Sequence, residues 1–253
     1  MNLQVGFVHL CRQICQKHRT MKKIILSFTL LFSVLFASAH ALWIETNSKG
    51  TKNKAQDVSV FLGEYAENER DSVAKWFSNL KDVKLFVSGP GITSQEIKLT
   101  VAGNRYTGSF TPTADGIYTL YISHTVADIY GEGKIEYYAT ATVAVGKEAS
   151  ATGAGTVLDI LPSLETVKAK QPVSLKVLFN KQPADAAKVM IITPEGWEKT
   201  LRSDAKGEVS FSPIQTGMHM LEAVKIEKTP GTHNGKPYKS VTHLVTHCIQ
   251  VRS

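Results

Sequence analysis

The chain has 253 residues, with 29 Lys and Arg against 22 Asp and Glu, a formal net charge of +7. Such a surplus invites a nucleic-acid reading, but its distribution removes it: Arg12, Lys17, Arg19, Lys22 and Lys23 fall in the first 39 residues, which hold no acid. Residues 40–253 then carry 24 basic and 22 acidic side chains, net +2, with no basic run interleaved with aromatics, so no nucleic-acid partner is expected.

The first element in chain order is an export signal. Lys22 and Lys23 precede an apolar run over residues 24–36, too short to anchor in a bilayer, and small residues follow. Met21 stands where such a signal starts, so residues 1–20 are expected to be an upstream over-read, with a long n-region as the alternative. Two cleavage sites satisfy the small-x-small rule, after Ala39 and after Ala41. The first leaves His40 as the mature terminus; the second discards it. Cys11 and Cys15 leave with the leader, and Cys248 alone remains, so no internal disulfide is expected. No cysteine at the cleavage region offers a lipid anchor. A soluble periplasmic protein, not membrane-spanning after cleavage, is the resulting expectation.

Short β-type runs follow. "DVSVFLG", "VKLFVSG", "QEIKLTV", "RYTGSF", "IYTLYIS" and "EYYATATVAVG" fill residues 57–146. "TVLDILP", "VSLKVLF", "KVMIITP", "GEVSFSP", "MHMLEAV" and "KSVTHLVTHCIQV" fill residues 156–251. Each is rich in β-branched or aromatic residues and bounded by Gly, Pro, Asn or Asp. One segment, residues 63–82, breaks the pattern: Val73, Trp76, Phe77 and Leu80 have helical spacing, which predicts a loop and short helix inserted in the first half.

The chain also repeats. "SFTPTADGIYTL" at 109–120 returns as "SFSPIQTGMHML" at 210–221, and "VKLFVSGPG" as "KVMIITPEG". The predicted fold is therefore all-β: two tandem immunoglobulin-like β-sandwiches. Their expected bounds are 40–147 and 156–253, joined by a small, polar linker at 148–155 and preceded by the leader at 1–39.

No G-x-S-x-G elbow, phosphate loop, H-E-x-x-H or C-x-x-C is present, so catalysis is not expected. Histidine carries the chemistry instead. At a mature terminus His40 offers an α-amine and ring Nδ1 that close a six-membered chelate on one ion. His124 ends the strand "IYTLYISH", and with Glu64 and Glu67 of the inserted loop it could complete an oxygen–nitrogen site around His40. His243 and His247 share a strand face but stand about 13 Å apart, too far for one ion. In "MHM", His219 aligns with Tyr118, which places it in a core slot with Met218 and Met220 on the other side. These three histidines and Glu67 are second-rank ligands behind His40, His124 and Glu64. The acidic run Glu64, Glu67, Glu69 and Asp71 reads by default as a solvated face.

"AHALWIE", "VFLGEYAENERDSVAKW" and "DGIYTLYISH" resemble an uncharacterised family of exported bacterial proteins. That family carries a domain of unknown function often labelled the periplasmic component of cobalt or nickel transport. The second half is also similar to carboxypeptidase-regulatory and other immunoglobulin-like modules. The resemblance implies a histidine early after the signal, as His40 is here. It also implies a divalent transition metal (nickel or cobalt, with copper and zinc as alternatives) and an inner-membrane transporter as docking partner. The competing expectation is a structural or adhesion protein that binds protein or glycan, with Tyr65, Trp76, Phe77, Tyr130, Tyr137 and Tyr138 as its surface.

Overall fold

Alternation of apolar and polar residues becomes strand almost throughout, and the computed structural model describes residues 40–146, 153–163 and 166–253. The expected leader, and residues 147–152 around the expected linker, lie outside the described residues. His40–Ser253 forms one compact unit. Among the described residues no helix is long and apolar enough to cross a membrane.

One ten-stranded sheet runs through both halves among the described residues. Its main path is Glu198–Arg202, Lys188–Ile192, Gly217–Glu227, Ser240–Arg252, Gly133–Val145, Gly116–Thr125, Leu85–Gly89 and Ile92–Ile97. The halves meet where Ser240–Arg252 pairs in parallel with Gly133–Val145, in the register Ser240↔Gly133 to His247↔Thr140. The neighbouring strands on either side pair antiparallel.

Two smaller sheets complete the cores. Ala41–Thr46, Gln56–Gly63, Tyr106–Phe110 and Thr100–Val101 form one. Leu158–Pro162, Val173–Phe179, Gln182–Pro183 and Glu208–Phe211 form the other. They cover opposite faces of the large sheet. Tyr137, Ala139, Val224 and Leu244 pack into the first core, whereas Tyr138, Leu221, Ala223 and Val245 pack into the second. Adjacent residues on a strand point to opposite faces, so the central parallel pair is buried on both. A third apolar cluster holds Ala41, Trp43, Phe61, Ile192 and Met220 at the junction, with Tyr65, Met190 and Cys248 against it.

The sequence repeat corresponds to a repeated contact. A Cβ on Gly116 would lie 2.6 Å from Pro90 Cγ, and one on Gly217 would lie 2.7 Å from Pro194 Cγ. Glycine in "DGIY" and "TGMH" therefore lets each strand begin hard against the proline turn of its half. Two residues later, Tyr118 is fully buried, and its hydroxyl donates to Ala114 O and accepts from Ala114 N, both at 3.0 Å. Tyr118→Phe removes this clamp and should cost about 1 kcal/mol, read from urea unfolding at unchanged m-value. An unaltered midpoint would show that water replaces the hydroxyl.

The inserted segment forms no α-helix. Its helical spacing resolves into two single 3-10 turns, Val73–Lys75 and Leu80–Asp82. Ser78 between them sits at φ 52°, which breaks any continuous helix. Val73, Trp76 and Leu80 still point inward and are buried. Short turns suffice because the segment only has to cap the first core.

Candidate functional site

The strand Ala41–Thr46 is buried on both faces over its first four residues, which explains the unbroken apolar run "ALWI". Leu42 and Ile44 enter the first core; Ala41 and Trp43 enter the junction cluster. Two side chains fix the start of this strand to the large sheet. Tyr137 donates its hydroxyl to His40 O at 2.6 Å, and Thr246 Oγ1 donates to Leu42 O at 2.6 Å. Burial pushes the Tyr137 phenol well above its ordinary value, with Glu222 and Glu64 adding to the rise, so it remains a donor.

The register Ala41↔Gly63 sets the next residue of each strand, His40 and Glu64, across from one another. Chain direction then reverses tightly. A Cβ on Gly63 would lie 2.3 Å from Glu69 O, so glycine is what allows the loop to close on itself. Within the loop Glu69 N–H donates to Glu64 O at 3.0 Å, and Asp71 N–H donates to Leu62 O at 2.8 Å. Arg70 clamps it from outside: its guanidinium lies 5.6 Å from the Trp43 ring centre and 5.0 Å from that of Phe61. It also pairs with Glu45 at 3.2 Å, and Trp43 Nε1–H donates to the same carboxylate at 2.9 Å. Tyr65 ties the loop to the second half, donating to Met218 O at 2.8 Å.

The closed loop brackets the His40 ring. Nδ1 lies 3.2 Å from Glu64 Oε1, and Nε2 lies 3.2 Å from Asp71 Oδ2. Phe77 meets the ring edge-on at 6.3 Å. Glu64 Oε1 is buried and accepts no hydrogen bond, because the imidazole stands at ion-pair distance without the alignment of a hydrogen bond. His40 itself keeps 41% of its side chain exposed, so the ring is reachable from solvent. The two carboxylates face different nitrogens, and no three His, Cys, Asp or Glu side chains among the described residues converge on one ion. The ring thus stands between two carboxylates, each at ion-pair distance from a different nitrogen.

The other expected ligands are distributed as follows. His124 pairs across strands with Tyr137 and so shares its face; its Nε2 is buried without a hydrogen-bond partner. Burial pulls its pKa below the ordinary value, against the opposing charges of Asp82 and Glu136. Glu67 is exposed on the loop. His219, His243 and His247 are buried and share the face of Leu221 and Val245, opposite to His40 across the large sheet. His243 is held between the Tyr138 hydroxyl at 3.0 Å and Glu227 Oε2 at 2.9 Å. His247 Nδ1 lies 2.8 Å from Thr140 Oγ1, which itself donates to Thr246 O, so the ring nitrogen is the donor. These three do not reach His40.

Asp71 was missed by spacing arguments. Its one sequence signal was its place at the end of an acidic run in an inserted loop, and only loop closure turns it inward. Of the six aromatics expected to form a partner surface, Trp76, Tyr137 and Tyr138 are buried, and Tyr130 is exposed.

Residues 37–227 match the family model DUF4198, described as a domain of unknown function. No curated protein matches the chain.

Proposed function

The chain belongs to the DUF4198 family of unknown function, and within it we propose a periplasmic binding protein for a divalent transition metal, nickel or cobalt first. The observation that carries this reading is the bracketed His40 ring with a buried Glu64 oxygen that no hydrogen bond satisfies. A buried acceptor without a donor lacks a partner, and a bound cation would supply one. Imidazole, amine and carboxylate together suit borderline divalent cations. His40 would ligate through Nδ1 and the terminal amine, Glu64 through Oε1, and Asp71 would hold the ring.

The reading needs signal cleavage after Ala39, and the packing supports that site. A cut after Ala41 would remove a residue that is 2% exposed and pairs with Gly63, together with the carbonyl that Tyr137 holds. A cut after Ala39 leaves every one of these contacts intact. We read the two halves as immunoglobulin-like sandwiches fused through their shared sheet, and a transporter role as one of docking and delivery.

The experiment is direct. The exported protein is weighed intact to identify its first residue. It is then titrated with Ni, Co, Cu and Zn against a competing chelator. A terminus at His40 and sub-micromolar affinity that falls tenfold or more in His40→Ala support the reading. A terminus at Leu42, or equal affinity in the variant, overturns it. Asp71→Asn should weaken binding about 10- to 100-fold, as loss of an outer carboxylate does.

A further inference from the structure

We propose that Met220 and Cys248, flanked by Met218 and Met190, form a site for monovalent copper at the junction of the two halves. This site is separate from the His40 bracket and does not depend on it.

Placement is the first argument. Residues 40–253 hold four sulfur-bearing side chains, Met190, Met218, Met220 and Cys248. The fold collects all four on one face of the large sheet. Met220 and Cys248 are direct cross-strand partners, which sets their Cβ atoms about 5 Å apart. Met218 stands two residues before Met220 on the same strand and so shares its face. Met190 comes from the next strand. It pairs with Glu222, and Ile192 pairs with Met220, so Met190 is a diagonal neighbour of Met220. Met220, Met190 and Cys248 belong to one apolar cluster with Trp43 and Tyr65. Thioethers used only as filler would be shared among the cores, yet the two main cores contain no Met or Cys.

Access is the second. Met220 is buried, whereas Met190, Met218 and Cys248 are only partly covered. Met218 also lines an open cleft of about 580 Å³ with Glu45, Asn47, Ser59 and Gln250. The Tyr65 hydroxyl donates to Met218 O at 2.8 Å, and Cys248 acts on the same phenol electrostatically, which keeps the thiol close to the end of the cleft.

The third argument is chemical. Thioether and thiolate are soft ligands and select monovalent copper over nickel or cobalt. Binding releases the thiol proton of Cys248 to solvent and transfers no electron, so copper enters and stays as Cu(I). Glu222, across from Met190 on the same face, is 6% exposed, and among the described residues it forms no ion pair. A cation among the sulfurs would also answer this buried carboxyl group.

The test uses the exported, processed protein, reduced and free of oxygen. Cu(I) is titrated against a competing chelator, with Ag(I) as a redox-inert second probe. The proteins are wild type, Met220→Leu, Met218→Leu, Cys248→Ser and His40→Ala. Leucine keeps the volume of methionine and removes the sulfur, and metal-free Tm shows each variant folded. Wild type should bind one Cu(I) and gain the ultraviolet absorption of a copper–thiolate bond. Met220→Leu and Cys248→Ser should bind tenfold or more weakly, Cys248→Ser without that absorption, and His40→Ala should bind Cu(I) as wild type does. No Cu(I) binding by the wild type, or wild-type affinity in both Met220→Leu and Cys248→Ser, would overturn the proposal and leave the sulfurs as packing. An equal loss of Cu(I) in His40→Ala would also overturn it, by moving the copper to the histidine. Ni(II) affinity, measured in parallel, tests the His40 reading separately and should be unchanged in the sulfur variants.

Discussion

Trp43→Ala should lower the stability of the folded chain by about 3–5 kcal/mol, the range for emptying a buried indole site. Trp43 is fully buried at the junction of the two halves. Its ring stacks on Phe61 at 5.4 Å and takes the edge of Tyr65 at 5.5 Å. The strand carrying it is covered on both sides, so the site has little room to collapse onto the gap. Polar consequences add to the cavity. Arg70 loses one of the two aromatic faces it covers, and Glu45 loses the indole donor. The loop that brings Glu64 and Asp71 to His40 rests on this platform, so ligand binding at His40 should weaken in the same variant. Urea unfolding measures the first effect and metal titration the second. A stability loss below about 1 kcal/mol would mean that neighbouring side chains refill the space.

The all-β class was legible because nearly every apolar run was short, β-branched and bounded by turn residues. The repeat was legible because "TPTADGIY" and "SPIQTGMH" solve one steric problem, a strand starting against a proline turn. The joining of the halves was not. It depends on parallel pairing between Gly133–Val145 and Ser240–Arg252, strands about a hundred residues apart with both faces covered. No local turn specifies such a register, and Thr140, His243, Thr246 and His247 inside these strands look amphipathic until two cores are seen to flank them. The candidate site divides in the same way. His40 stood out from its position after small residues, and Glu64 from the inserted loop. Asp71 did not, because a carboxylate on a charged loop reads as solvated until the closed loop sets it 3.2 Å from the His40 ring.

Enclosure has a measurable cost at a carboxylate of the second half. Asp159 is 3% exposed, accepts from Gly155 N–H at 3.1 Å through Oδ2, and leaves Oδ1 buried without a hydrogen-bond partner. Burial pushes its pKa up from 3.8 to about 6, against the lowering effects of the Gly155 hydrogen bond and the charge of His247. The folded state therefore holds this proton more tightly than the unfolded chain. Its stabilising contribution is full below about pH 4 and is lost as pH rises through about 6. Two units of difference correspond to about 3 kcal/mol, so folding bears a penalty of that order at neutral pH. Asp159→Asn removes the charge while keeping an acceptor for Gly155. It should raise stability by about 2–3 kcal/mol at pH 7.5, a Tm gain of about 4–12 °C for a chain this size, and leave it nearly unchanged at pH 4. Thermal unfolding of wild type and variant across pH 4–8 checks the sign and the window together. Parallel curves, with no growing gap between pH 4 and pH 7, would show that His247 and the Gly155 turn already compensate the buried charge.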